Sequence, residues 1–278
     1  MTSESRVWFI TGTSSGFGRA IAEAALAGGD VVVATARNPQ AVADLVAAYP
    51  GRVTPVALDV TDAARAAAAL DEAARAHGRI DVLVNSAGRV HIGAVEETTD
   101  ADLRDLMEVH FFAPIAITRA ILPLMRERGS GTIVQISSMS GRVPFPAVGA
   151  YAASKAALEA MSESLAGEVA QFGIKILLVE PGAFRTKLAA GSATVSAPVP
   201  AYDAMVGPFR DGFPAVDGKQ PGDPAKAAAA ILDMVNADKP PLRLALGPDA
   251  ADMALAYLDN TRAELVAFDG VARGTDYS

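Results

Sequence analysis

The segment Tyr151-Ala152-Ala153-Ser154-Lys155 places a phenol and a primary amine four residues apart. In a helix, residues at that spacing share a face, so both side chains can project into one site. A free phenol ionises near pH 10, far too high for efficient proton exchange at neutrality. A cation beside it favours the phenolate and lowers that value by about 1–3, the direction that general acid–base catalysis requires. The same pairing also occurs on helix surfaces with no chemistry attached. Ser138, in the pair Ser137-Ser138, ends a run of strand-forming residues. Its hydroxyl can donate to a carbonyl oxygen as negative charge builds there, or can simply shape a turn.

A second group of residues suits a phosphate. Thr11-Gly12-Thr13-Ser14-Ser15-Gly16-Phe17-Gly18 follows a short apolar run and opens a helical pattern. Strand, glycine turn and helix N-terminus together present backbone N–H groups and a positive dipole end to a pyrophosphate. The spacing Gly-x-x-x-Gly-x-Gly differs from the commonest dinucleotide fingerprint, and the Gly-Lys-Ser/Thr ending of an ATP or GTP loop is missing. Such a turn can also be geometry alone. The second apolar run ends Thr35-Ala36-Arg37, with no acid at its end. An acid there serves the ribose hydroxyls of NAD, whereas arginine accommodates the 2′-phosphate of NADP; a solvated surface arginine is the plainer reading.

These residues need a frame. Strands are expected at Val7–Thr11, Val31–Thr35, Val53–Leu58, Val82–Asn85, Thr132–Ser137, Ile174–Glu180 and, more weakly, Leu242–Leu246. Most are nearly continuous apolar runs, as for strands covered on both faces. Helical patterns separate them: Gly16–Ala27, Pro39–Ala48, Asp62–His77, Asp100–Arg128, Val148–Phe172, Asp223–Asn236 and Asp249–Phe268. The alternation predicts an α/β fold, a Rossmann-type doubly wound seven-stranded parallel sheet with helices on both faces. The chain reads as one domain, 1–278, with a C-terminal helical extension over 249–278. The Pro/Gly-rich stretch 183–222 breaks the rhythm and is expected to be a substrate loop at the carboxyl edge of the sheet.

Composition narrows the chemistry. The 278 residues carry a net charge of −8 and no cysteine, which excludes disulfides and thiolate chemistry and argues against nucleic acid as partner. The three histidines, His77, His91 and His110, have no metal-ligand spacing, so no metal is expected. MTSESRVWFI runs directly into a strand pattern without the regions of a signal peptide. No uninterrupted apolar stretch approaches the roughly 18 residues of a membrane helix. A cytoplasmic protein with no membrane partner is the expectation.

Taken jointly, Gly12-x-x-x-Gly16-x-Gly18, Asn85-Ser86-Ala87-Gly88, Ser138, Tyr151-x-x-x-Lys155 and Pro181-Gly182 closely resemble the short-chain dehydrogenase/reductase family, in its compact single-domain branch. The likeness runs from Val7 to about Leu246, and Ser138 and Tyr151 stand at the family's spacing. The resemblance implies that Tyr151 is the general acid in reduction and the base in oxidation. It implies that Lys155 lowers the Tyr151 pKa and holds the nicotinamide ribose, and that Ser138 polarises the substrate oxygen. It further implies that Gly12, Gly16 and Gly18 admit the pyrophosphate, with Ser14, Ser15 and Phe17 beside them. Asp59 and Val60 would meet the adenine, Asn85, Ala87 and Gly88 would line the cofactor cleft, and Pro181, Gly182 and Thr186 would position the nicotinamide. The cofactor is then NADP(H) by preference, on Arg37, with NAD(H) possible, and hydride passes directly to or from the substrate carbon.

One position departs from that pattern. The family usually carries Asn in the helix after the fourth strand, where this chain has His110. His110 is either a packed, silent histidine or a fourth member of the site that adds a titration near pH 6.5. Pro114, four residues on, lacks an N–H, so the His110 carbonyl loses its helical partner and the helix is expected to kink. That carbonyl can then hold a water reaching Lys155, which makes the backbone and not the imidazole the anchor of a proton relay. Serine at Ser86, where the family has a second Asn, is expected to matter little.

The substrate is expected to be a small carbonyl or alcohol compound, met by His91, Met139, Val143, Phe145 and residues 183–222, with Phe184, Tyr202, Phe209 and Phe213 in or beside that stretch. Their apolar character favours a hydrophobic ketone, aldehyde or secondary alcohol. The helices Asp100–Arg128 and Val148–Phe172 resemble those that pair subunits in this family, so a homodimer or homotetramer is expected. The alternative function is an NADPH-binding sensor or scaffold with weak catalysis.

Overall fold

In a computed structural model, which describes residues 5–277, the seven expected strands form one sheet. They are β1 (Val7–Ile10), β2 (Val31–Ala36), β3 (Val53–Ala57), β4 (Val82–Asn85), β6 (Gly131–Ile136), β7 (Ile174–Pro181) and β9 (Arg243–Leu246). Two further strands, β5 (Val90–Ile92) and β8 (Ala193–Val195), pair with each other. The large sheet runs β3-β2-β1-β4-β6-β7-β9 with every neighbouring pair parallel. The order reverses between β1 and β4, and the crevice at such a switch point, outside the carboxyl ends, is where these sheets bind ligands.

Helices α1 (Gly16–Ala27), α2 (Ala43–Ala48) and α10 (Pro224–Asn236) supply one face. Their Ile21, Leu26, Leu45 and Ile231 pack with Trp8, Ile10, Val84 and Val179 from the strands. On the other face α3 (Ala63–His77), α5 (Ala113–Arg128) and α7 (Gly149–Val169) bury Leu70, Ile117, Ile121 and Leu165 against Phe9, Leu83, Ile133 and Ile176. Alternate strand residues thus feed two separate cores, which is why these strands read as unbroken apolar runs.

The expected 100–128 helix is one unit in three parts. Its first part, α4 (Asp100–Met107), starts at a capping box between Thr99 and Asp102. A π-helical turn over Glu108–Phe112 follows, and then α5. The N–H of Ala113 reaches back to the Glu108 carbonyl, so a widened turn stands directly before Pro114, at the place where the sequence reading expected Pro114 to disturb the helix. This unit is long and apolar enough by composition to cross a membrane. Its apolar side, Ala113, Ile117, Ile121 and Met125, is spent on the sheet.

Residues 183–222 depart from the expected loop. They contain α8 (Leu188–Gly191), β8 and α9 (Asp203–Ala215). Pro208 and Pro214 lie inside α9, where propensity disfavours them. Tertiary contacts hold the helix nonetheless: Val206 is buried beside Ile92 and Ala147, the Phe145 and Phe209 rings stack at 6.0 Å, and Arg210 pairs with the buried Glu97 at 3.1 Å. Beyond β9 the chain continues as α11 (Pro248–Ala267) and α12 (Asp269–Arg273). Residues 1–4 and 278 of the expected domain lie outside the described residues.

Candidate active site

A cavity of about 690 Å³ runs along the carboxyl ends of β1, β4, β6 and β7. Its size suits a cofactor together with a small substrate. One end is the glycine turn. Gly12 has φ +72° and lies so close to Ala87 that a Cβ would stand 2.9 Å from the Ala87 Cα, so the turn admits only glycine without displacing backbone. Ser15 precedes α1 in extended conformation, and no side chain caps the helix, which leaves the positive end of α1 facing the cavity.

Thr11 ties this turn to the loop after β4. Its hydroxyl oxygen accepts the N–H groups of Ser86 at 2.9 Å and Ala87 at 3.1 Å. Sequence reading passed over Thr11, although it stands directly before Gly12. At the adenosine end, Arg37 is exposed at the end of β2, and Asp59 Oδ1 accepts both the N–H and the hydroxyl of Thr61, at 3.0 and 2.8 Å. Those bonds hold the Asp59 carboxyl below its ordinary range, with smaller help from Arg37 and Arg89.

Most of the expected site residues line this one cavity: Gly12, Ser14, Ser15, Gly16, Phe17, Arg37, Asp59, Val60, Ala87, Gly88, His110, Ser138, Tyr151, Lys155, Pro181, Gly182 and Thr186. Two stand behind it. Gly18 packs on the Gly12 carbonyl. Asn85 is buried and donates from Nδ2 to Gln135 Oε1 at 3.0 Å, so it braces β4 against β6 and does not face the cleft as expected.

At the other end stand the groups that can move a proton. Ser138 ends β6 and caps the short helix α6 (Met139–Arg142), where its oxygen accepts the Ser140 N–H at 3.1 Å. That bond leaves the hydroxyl hydrogen to be donated. Tyr151 and Lys155 are both buried. The Lys155 ammonium donates to the Ile136 carbonyl at 2.9 Å and stands 5.9 Å from the centre of the Tyr151 ring.

Burial pushes the Tyr151 phenol above its ordinary value, against the pull of the Ser138 hydroxyl, and Glu159 adds to the rise. This differs from the expectation of a phenol acidified by Lys155: desolvation of the anion outweighs the pull of the Ser138 hydroxyl. Burial also pushes Lys155 down to about 8, while Glu159 pulls it back up.

His110 does not titrate where the sequence suggested. Its Nε2 accepts the Arg89 N–H at 3.2 Å, and its Nδ1 lies 2.9 Å from Ser154 Oγ. Burial first, then the Lys155 and Arg89 charges, hold its pKa well below the usual histidine value. The ring fills the space beside Gly88, where a Cβ would stand 2.9 Å from Nε2.

The substrate end is partly as expected. Phe184 and Phe213 line the cavity, with Leu188, Ala193, Thr194 and Val216, none of which composition had singled out. His91, Met139, Val143, Phe145, Tyr202 and Phe209 stand outside the lining. His91 instead fastens β8, with ring nitrogens 2.8 Å from Thr194 Oγ1 and 2.8 Å from Ser196 Oγ. Tyr202 donates to Glu96 at 2.6 Å. Asp249, at the start of α11, accepts the Ala183 N–H at 2.7 Å and so fixes the Pro181–Gly182 turn; nothing in its sequence context announced this.

Residues 6–195 match the short chain dehydrogenase family. The oxidoreductase BOA17 of Botryotinia fuckeliana is 42% identical over 250 residues, covering 90% of this chain and 91% of its own length. The crystal structure of a short-chain dehydrogenase from Streptomyces avermitilis is 55% identical, with a TM-score of 0.93, covering 99% of this chain and 100% of its own. A short chain dehydrogenase from Burkholderia cenocepacia, solved in complex with NADP, is 26% identical with a TM-score of 0.74, covering 96% of this chain and 98% of its own.

Proposed function

The chain belongs to the short chain dehydrogenase family, which makes it an oxidoreductase that uses a nicotinamide cofactor; on that premise we propose an NADP(H)-preferring enzyme, folded as one domain, that interconverts a hydrophobic secondary alcohol with its ketone, or an alcohol with an aldehyde. The observation that carries this reading is that one cavity joins the glycine turn to Ser138, Tyr151 and Lys155. The chain fits a nicotinamide dinucleotide: Gly12 lets the turn close against Ala87 at the cavity's end, the uncapped α1 faces that cavity, and Arg37 stands where β2 ends without an acid. When bound, that cofactor supplies the hydride for reduction and accepts it in oxidation.

Everything else falls to side chains of this chain. Ser138 offers its hydroxyl hydrogen to the substrate oxygen as negative charge grows there. Tyr151, with its pKa raised by burial, carries its proton at neutral pH and delivers it to that oxygen, so the resting site is set up for reduction. Lys155 stabilises the phenolate left behind. Phe184, Leu188, Ala193, Phe213 and Val216 exclude water around the reacting carbon and favour an apolar substrate.

The test is oxidation of NADPH and NADH by purified protein against a varied panel of ketones and aldehydes. Turnover with NADPH is expected to exceed that with NADH, and Tyr151→Phe to lose about 100-fold or more, the scale of one general acid. Arg37→Ala is expected to raise KM for NADPH and leave NADH unaffected. Tight NADPH binding with no turnover that Tyr151→Phe abolishes would transfer the protein to the sensor reading.

A further inference from the structure

Three consecutive residues at the end of β6 each engage one residue on a single face of α7. The Ile136 carbonyl accepts from Lys155, Ser137 Oγ donates to Glu159 Oε1 at 2.5 Å, and the Ser138 hydroxyl acts on the Tyr151 phenol by favouring its anion. Tyr151, Lys155 and Glu159 follow at steps of four residues, so the strand end grips one line of side chains along the helix. Glu159 is 3% exposed, and the proposed reaction makes no use of it.

The second oxygen of Glu159 joins a network of charged groups. Its Oε2 accepts from Arg243 Nη1 on β9 at 2.6 Å. Arg243 also bonds Glu180 on β7, and Glu163 one turn further along α7 at 2.7 Å. Arg142, at the end of the helix that Ser138 caps, donates twice to Glu180 at 3.0 and 3.1 Å. Two buried carboxylates, Glu159 and Glu180, thus face two guanidinium groups, with Glu163 half exposed at the edge. The Lys155 ammonium stands one helical turn from Glu159 and feels its charge. Unpaired charges at such depth are strongly disfavoured.

We propose that Glu159 is a positioning residue of this active site: held by Ser137 and Arg243, it keeps the buried Lys155 ammonium charged and the Tyr151–Lys155 face of α7 in register with Ser138. The inference rests on the proposed role of Tyr151 and Lys155. Two opposed effects are visible on Glu159 itself, where burial raises the pKa and the Ser137 and Arg243 bonds lower it, with Glu180 raising it further. Ser137 first, and Arg243 with it, are what favour the ionised form of Glu159.

Reduction needs Tyr151 protonated and Lys155 charged. Lys155 deprotonates at about 8, below the raised phenol, so it sets the alkaline limb of kcat/KM. Glu159→Gln removes the carboxylate, and that limb is expected to move to lower pH by about one unit. Arg243→Met allows Glu159 to take up a proton and is expected to move it the same way. The double variant should move no further than Glu159→Gln alone, because both act through one charge. Glu159→Asp keeps the charge with a shorter reach, so it should lower kcat while leaving the limb in place.

A readout free of turnover is the ¹³C NMR titration of labelled lysine, with Lys155→Met identifying the Lys155 signal. Its midpoint is expected to fall by about one unit in Glu159→Gln. If the Lys155 titration and the limb both stay put while only the melting temperature drops, Glu159 is packing alone and the proposal is overturned. If the wild-type protein reduces no carbonyl, the functional reading fails, and the lysine titration still decides whether Glu159 holds the charge.

Discussion

At His110 the hydrogen bonds assign both tautomer and charge. Ser154 Oγ donates to the Tyr151 carbonyl at 2.7 Å, so it accepts from His110 Nδ1–H. The Arg89 N–H donates to Nε2. A neutral imidazole satisfies both partners, whereas an imidazolium would turn a donor toward the Arg89 N–H. Those bonds tie the loop after β4, the π-turn and α7 together through one neutral ring. Its folded pKa lies well below the unfolded value of about 6.5. The unfolded chain then binds the extra proton first, so His110 contributes stability that is fully present above about pH 6.5 and is lost as the pH falls below it. The loss is up to about 1.4 kcal/mol per pH unit. Urea unfolding between pH 6.5 and 5 should therefore show a shallower slope in His110→Gln than in the wild type; equal slopes would overturn the neutral ring. His110→Ala should cost about 1–3 kcal/mol for the buried partners left unpaired, yet keep much of the turnover, because the relay is expected to run through the backbone. A fall to the Tyr151→Phe level would refute that.

Between elements, the substrate end depends on a flap fastened at two places. β5 and β8 pair in parallel, His91↔Thr194, and the histidine ring clamps the same residue. Further along, Glu97 accepts the N–H groups of Ala94 and Val199 and pairs with Arg210 from α9. Arg210→Gln should loosen α9 without touching the reacting groups. The expected outcome is a KM for the carbonyl substrate raised roughly tenfold with kcat nearly unchanged, the pattern of lost uniform binding, together with faster amide exchange over residues 203–215. An unchanged KM would mean that the flap does not shape the pocket. This level was also the least legible in the sequence. The strands of the main sheet announced themselves because burial on both faces demands unbroken runs such as VWFI and VVVATA. The site residues were legible because each stands at a strand end or on a four-residue helical repeat. That same repeat, carried one step past Lys155, points to Glu159. By contrast β5 and β8 have three residues each, too short for a period. α9 holds two prolines that only its packing tolerates, and the burial of the Tyr151 phenol depends on neighbours far along the chain.

For the molecule as a whole, the unspent apolar surface points to association. The net charge of −8 keeps the chain soluble in general terms, yet Leu103 on α4, Phe112 on the π-turn and Met161 on α7 are all exposed, on elements that pack against one another. α11 also exposes apolar side chains, Leu255, Leu258 and Leu265 among them. Where such side chains form one patch they mark contact sites more often than idle surface, and the homodimer or homotetramer expected from the sequence would be built on the α4–α5 and α7 pair. Sedimentation should give at least twice the chain mass of 28.5 kDa. Phe112→Glu combined with Met161→Glu places two carboxylates in that contact from each subunit. An unpartnered buried charge costs about 3–5 kcal/mol, so dissociation should strengthen by at least about 100-fold and the double variant should sediment as single chains with its melting transition largely kept. If Leu258→Glu on α11 dissociates the assembly and the α4/α7 variant does not, the C-terminal helix is the contact. A wild-type protein that sediments as one chain would end the oligomer expectation altogether.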